Sequence, residues 1–365
     1  MNYHRRLSMV CCLMALLTAC SPSPAPENNW LHAMAYRITQ GYADLNRQSA
    51  ELATESQAFC DSNPENSAEK LSKVRLKWLS TMGAWQKIQW VQFGPVTHNN
   101  AGWSIQFWPD KKNLLARKMT QYGKNTQEIA ADSIAGASVV IQGISAMELL
   151  LFDGDFAAQN AWMDFKKQCQ LQLAVARHLQ QTTQKLAMAW EEGGYAEQWL
   201  THNNELEEQG QLVEAEGEIF DALLGQMERV KMDKLGGPLG YKNRNKVANG
   251  YFSESWRSQS SLNNIRANID AFAQALNDPD YYDLSKKLID AGHTDLANQL
   301  LEFTVTVQNS ADSLTQPLSQ MVNSEEGKIE VDKLYQQVGD LNSLLKNQVA
   351  PALGIVLGFN SNDGD

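Results

Sequence analysis

The stretch Ile141–Phe152, IQGISAMELLLF, sets one carboxylate inside an apolar run. Residues 135–152 are apolar around most of a helical circumference, which predicts a buried central helix walled in by other helices. Ile141, Ser145, Glu148 and Phe152 fall on one stripe, at i, i+4, i+7 and i+11. Ser145 and Glu148 therefore point the same way from neighbouring turns. A buried carboxylate must be protonated, paired with a cation, or open to a wet cleft, because leaving it charged and alone costs several kcal/mol. The structural pairing would be to Arg75 or Arg117; the functional one would be to a ligand. Gly143 lowers helix propensity by about 1 kcal/mol relative to Ala, which points to a close approach by another backbone. A glycine and a glutamate breaking the local rule in one core helix is a pattern expected of a site.

Helical periodicity extends outward in both directions. Leu31, Met34, Ile38, Tyr42, Leu45 and Leu52 define one helix within Trp30–Cys60. Leu71, Val74, Trp78, Met82, Trp85 and Ile88 define a second before Phe93. FGPVTHNNAGWSIQFWPDKKN, rich in turn formers and aromatics, reads as a long ordered loop, and Leu114–Tyr122 as a short helix. A helix is expected within Gln127–Phe152, and a long amphipathic one over Phe156–Trp190, stopped by Gly193-Gly194. His202–Lys234, Asn249–Leu276, Asp295–Met321 and Ile329–Val349 continue the pattern. No β alternation appears. The expected fold class is all-α, two consecutive four-helix-bundle-like domains over residues 30–194 and 195–365 with a cleft between them.

The N-terminus has a different character. MNYHRR followed by LSMVCCLMALLTA is a basic segment and an apolar core too short for a permanent membrane span, so residues 1–19 read as a signal peptide. Leu17-Thr18-Ala19-Cys20 matches a bacterial lipobox, making Cys20 the expected lipidation site and residues 20–29 a Pro-rich tether. Ser21, in place of an acidic residue, favours the outer membrane, with the domain facing the periplasm. Of the five cysteines, Cys11 and Cys12 leave with the leader and Cys20 is acylated. Cys60 and Cys169 remain as an even pair in an oxidising compartment, expected to form a disulfide, with two buried thiols as the alternative. The net charge of −11, more negative still without Arg5 and Arg6, argues against nucleic acid and against a polybasic membrane-binding face.

Four segments together resemble the imelysin-like family of bacterial lipoproteins and periplasmic proteins. WLSTMGAWQKIQWVQFGPV followed by IQFWPD is similar to the family's Trp-rich helix, Phe-Gly-Pro turn and Trp-Pro-Asp loop. Gly143-Ile-Ser-Ala-Met-Glu148 stands where the family has Gly-x-His-x-x-Glu. KLGGPLG with NGYFSESWRSQSSLNNIRANI resembles its second-domain loop and helix, and LGFNSNDGD its ending. The resemblance, spanning Trp30–Asp365, implies two four-helix bundles with a cleft near the Gly-x-His-x-x-Glu helix, a link to iron uptake, and kinship with a founding member described as a metallopeptidase. Here Ser145 replaces the histidine. A hydroxyl is a poor ligand for iron or zinc, which leaves Glu148 as the single candidate metal ligand, and no His-Glu-x-x-His motif compensates.

The expected ligand-binding set is Gly143, Ser145 and Glu148 with His98, Trp103 and Trp108 from the aromatic loop. Catalytic residues are expected to be none. Ser145 lacks a nucleophile elbow and a base of triad geometry. The tail NSNDGD resembles part of a calcium loop without its bidentate glutamate, and capping or docking suits it better. Two functions compete: a lipid-anchored, non-catalytic binding accessory of an iron-uptake system, and a metallopeptidase that borrows ligands from elsewhere.

Overall fold

Asn29 accepts a hydrogen bond from the Leu31 backbone N–H at 2.8 Å, and a long helix starts there. A computed structural model of the protein describes residues 29–62, 66–110, 112–126, 129–160, 162–191, 193–209 and 214–357. The leader, Cys20, most of the tether and the tail Gly358–Asp365 lie outside the described residues. Among the described residues the elements are helical and no strand occurs. No described helix is long and apolar enough to cross a membrane.

Helix α1 (Trp30–Cys60) buries Met34, Ile38, Tyr42, Leu45, Leu52 and Phe59, the stripe its periodicity predicts. It packs lengthwise on α2 (Ser67–Ile88). Trp78 of α2 is fully buried, and its indole N–H donates to the Ile144 carbonyl at 2.9 Å. Burial of a side chain of that size contributes roughly 2–3 kcal/mol, and the hydrogen bond spares the polar edge the penalty of going unpaired. After α3 (Leu114–Asn125) come the short central α4 (Gly143–Phe152) and the long α5 (Phe165–Trp190). Asp164 caps α5 by accepting from the Lys167 N–H at 2.7 Å. Cys60, closing α1, is bonded to Cys169 of α5, with Cα atoms 5.5 Å apart, as the expected disulfide requires.

Helix α6 (Tyr195–Glu208) leans on this first group through Trp199, which stacks on Phe93 at 5.5 Å. Then follow α7 (Glu214–Arg229), α8 (Ser261–Leu276), α9 (Thr294–Ser313) and α10 (Glu325–Leu344). Helices α7 and α10 each run directly into a π-helical turn, Val230–Leu235 and Leu345–Val349. Helix α8 packs on α2 and joins the second group to the first. Its Asn268 amide donates to the Gln86 carbonyl at 2.7 Å.

Several boundaries differ from the periodicity. The apolar segment before Phe152 is broken: Ala131–Ala135 is a short helix, Val139–Ile141 a 3-10 turn, and α4 begins only at Gly143. The Gly143 backbone is left-handed (φ +67°), so the chain changes direction although the apolar composition continues. The expected helix over Phe156–Trp190 divides at Asp164, whose capping side chain restarts it. The aromatic loop contains a 3-10 stretch, Gly94–Asn100, and a short helix, Ala101–Ile105.

Candidate functional site

At Gly143 two backbones meet. A methyl group there would lie 2.1 Å from the Ile105 carbonyl oxygen and 2.3 Å from that of Ser104. Only glycine combines this approach with a left-handed φ. Gln142 fixes the preceding turn by donating to the Ile134 and Ala137 carbonyls at 2.9 and 3.2 Å. With the loop held there, the Ser145 hydroxyl donates to the Phe107 carbonyl at 3.1 Å. The next residue, Trp108, lines a cavity.

Glu148, one turn beyond Ser145, is 6% exposed. Its Oε1 accepts from the Ser258 backbone N–H at 2.9 Å and from the Ser258 hydroxyl at 2.8 Å. Burial pushes the Glu148 carboxyl above its ordinary range; the two Ser258 bonds and the nearby Arg257 charge oppose that rise without cancelling it. The arginine pairing anticipated from composition does not form. Arg75 donates to the Leu151 carbonyl at 2.9 Å and lies over the Phe152 ring, while Arg117 is exposed. Instead Arg257 pairs with Asp153 at 2.7 Å, both side chains largely buried, and lies 4.4 Å from the Trp256 ring centroid.

These residues surround a cavity of about 410 Å³. Phe107, Trp108, Ser145 and Glu148 supply the wall from the first helical group. Tyr251, Ser253, Trp256 and Arg257 supply the wall from the second. Ser253 is 1% exposed and its hydroxyl has no hydrogen-bond partner, an inconsistency that a bound polar group would remove. The Gly143 side faces the loop backbone and not the cavity. His98 and Trp103 are not among the lining residues. His98 is exposed on the 3-10 stretch, and Trp103, 50% exposed, rests against Phe107 at 5.9 Å.

Beneath the cavity lies a buried polar cluster. Lys234 and Glu254, 1% and 2% exposed, pair at 3.0 Å. The Lys234 ammonium also donates to the side-chain carbonyls of Gln86 and of Gln89, the latter at 3.2 Å. Gln106 donates to Glu254 at 2.8 Å and accepts from the Trp85 indole N–H at 2.7 Å. Asn264 completes the Glu254 contacts at 2.9 Å. Gln106 also lines the cavity, and the Lys234 ammonium lies 6.0 Å from the Trp108 ring centroid. The cluster thus ties residues of both helical groups to the cavity floor.

The family model described as imelysin matches residues 38–345. The chain belongs to the imelysin family. An imelysin-like protein from Psychrobacter arcticum 273-4 has a similar crystal structure, with a TM-score of 0.76 at 22% identity, covering 93% of this chain and 99% of that one. A protein from Parabacteroides distasonis ATCC 8503, described as an iron-regulated protein A precursor, is similar with a TM-score of 0.68 at 16% identity, covering 90% and 96%. At these identities the likeness is one of fold. No curated protein matches the chain.

Membership of the imelysin family raises the question of a metal, and the donors present do not fit one. Among the described residues no three His, Cys, Asp or Glu side chains come together in an arrangement that could hold an ion. Near Glu148, Asp153 is engaged by Arg257, and the Asp110 carboxylate caps α3 by accepting from the Leu114 and Leu115 N–H groups at 2.7 and 2.9 Å.

The raised Glu148 carboxyl has a measurable consequence. The folded state takes up this proton more readily than the unfolded chain, whose value is near 4.5. The favourable contribution is therefore complete below about pH 4.5 and is lost as pH rises through the folded value. In Glu148→Gln, an amide oxygen can still accept from Ser258 but nothing ionises. Urea unfolding at pH 4.5 and 7.5 is expected to show the variant gaining stability relative to the parent at the higher pH. A difference that stays constant, or reverses, contradicts the assignment.

Proposed function

We propose that the protein is a non-catalytic, ligand-binding accessory of bacterial iron acquisition, exported and lipid-anchored at Cys20 in the outer membrane, facing the periplasm. The observation that carries this reading is the cavity at the meeting of the two helical groups, with Glu148, Ser145 and Trp108 on one wall and Tyr251, Trp256 and Arg257 on the other. Family membership and the likeness to a precursor described as iron-regulated support the link to iron. Flat aromatic surfaces with a few convergent polar groups suit a chelated metal better than a bare ion. Release to, or capture from, a component of an uptake system is part of the proposal.

The test is calorimetric titration of the purified protein with ferric citrate. Saturable binding, weakened about tenfold by Glu148→Gln as expected for loss of a charged hydrogen-bonding partner, supports the reading. Absence of binding overturns it. So does peptide hydrolysis that a chelator blocks and Glu148→Ala abolishes, which would restore the metallopeptidase alternative.

A further inference from the structure

A second, larger cavity of about 1040 Å³ lies along α7 and is separate from the site around Glu148 except for Asp233, which borders both. One wall is acidic. Glu214, Glu218, Asp221 and Glu228 line it, with Asp233 just beyond α7. Two of the lining carboxylates are already paired, Glu216 with Lys287 and Asp233 with Lys242, each at 2.6 Å. Glu218 instead accepts from the Trp199 indole N–H at 3.0 Å. Burial, seconded by the Glu214 charge, pushes its carboxyl upward despite that bond. Apolar side chains, Phe93, Trp199, Leu353 and Ile355, also line the cavity. Arg229 also borders the groove; the carboxylates of Asp233 and Glu254 are the charges acting on it.

One feature of α7 indicates an occupant. Gln226 lines the groove, is 3% exposed, and neither its amide oxygen nor its amide nitrogen has a hydrogen-bond partner. An unpaired buried amide is destabilising, and proteins retain few of them. Beside it, a methyl group added at Gly225 would meet no atom within 4 Å, so the groove reaches down to the helix backbone.

We propose that this groove binds a linear aliphatic polyamine. Its ammonium groups lie against Glu214 and Glu218, and one donates to the Gln226 amide oxygen. Its methylene segments run along Phe93, Trp199 and Leu353. A bare divalent ion would leave the apolar lining unused, and an anion would be repelled by the carboxylates.

The test is titration of the purified full-length chain with spermidine, followed by calorimetry at fixed ionic strength. One saturable site is expected. Glu218→Gln is expected to weaken it about tenfold or more, the effect of removing one charged hydrogen-bonding partner. Gln226→Leu should weaken it several-fold while leaving the melting temperature equal or higher, because it removes an unpaired amide; a merely structural Gln226 would not separate the two. Glu148→Gln, in the other cavity, should leave spermidine binding unchanged, so failure here is distinguishable from failure of the iron-chelate site. No saturable binding, binding displaced by magnesium at equal ionic strength, or affinity indifferent to both α7 variants overturns the proposal. Should Gln226→Leu not fold, Glu218→Gln, a near-isosteric change on a half-buried side chain, decides alone.

Discussion

Lys234→Met is expected to lower the unfolding free energy by about 3–5 kcal/mol, the range for removing one partner of a fully buried ion pair. The ammonium is 1% exposed and meets Glu254 at 3.0 Å, with two glutamine carbonyls completing its shell. Burial lowers the Lys234 pKa, and the Glu254 charge holds the ammonium form against that tendency. Without the lysine, Glu254 keeps its amide donors, Gln86, Gln106 and Asn264, but its charge is left in the interior with no counter-charge in contact. Methionine matches the length of the aliphatic stem, so the loss measures charge more than volume. Glu254→Gln should be costly for the mirror reason. The double variant Lys234→Met/Glu254→Gln should recover part of the loss, because no uncompensated charge remains. Urea unfolding of the four proteins provides the cycle. If the single variants lose less than about 1 kcal/mol, or if their losses simply add, the pair is not what holds this interface.

The second large effect is expected from the covalent tie. Cys60 and Cys169 are 109 residues apart in sequence, and closing a loop of that size restricts the unfolded chain by about 4–5 kcal/mol in the chain-entropy account. Cys60→Ala/Cys169→Ala should therefore be less stable than the oxidised parent by an amount of that order, and reduction of the parent should approach the same value. The bond joins the end of α1 to the first turns of α5, the two long helices that pack most extensively in the first group. Local opening near residue 60 should increase with it. A loss under about 1 kcal/mol would mean that α1 and α5 stay together through packing alone, and that the unfolded chain is compact without the bond.

Much of this fold was legible because apolar residues recur at helical spacing. The buried stripes of α1 and α2, Met34, Ile38, Tyr42 and Leu45 in one and Val74, Trp78 and Trp85 in the other, are the ones their periodicity predicts. The start of α4 was not legible, because the apolar run continues across a backbone reversal that only Gly143 signals. The oddity of Glu148 could be read; its partner could not. Ser258 lies 110 residues away, and hydroxyl donors leave no periodic trace. Lys234 and Glu254 carry no sequence signal for a related reason. One sits in an amphipathic helical run where lysine is ordinary, the other in a polar loop, and their burial depends on packing between α2, α8 and the turn after α7. A signal was present in the density of serine, tyrosine and tryptophan in Asn249–Ser261, where Tyr251, Ser253, Trp256 and Ser258 all fall. His98 is a reasonable loop candidate by chemistry, but it lies exposed at a kink where the backbone is extended.

The wide turn Val230–Leu235 has a bearing on how the molecule tolerates change in length. A π-turn accommodates one more residue than an α-helix would over the same path. Each residue of ordinary helix corresponds to about 100° of rotation. A one-residue deletion in regular helix would swing the downstream chain by that angle, whereas a deletion within this turn would restore regular winding over the same path and displace only the turn's own residues, Asp233 from the border between the two cavities and Lys234 from its nest of amides. The extra residue of this turn thus serves to place Asp233 between the two cavities and Lys234 beneath one of them.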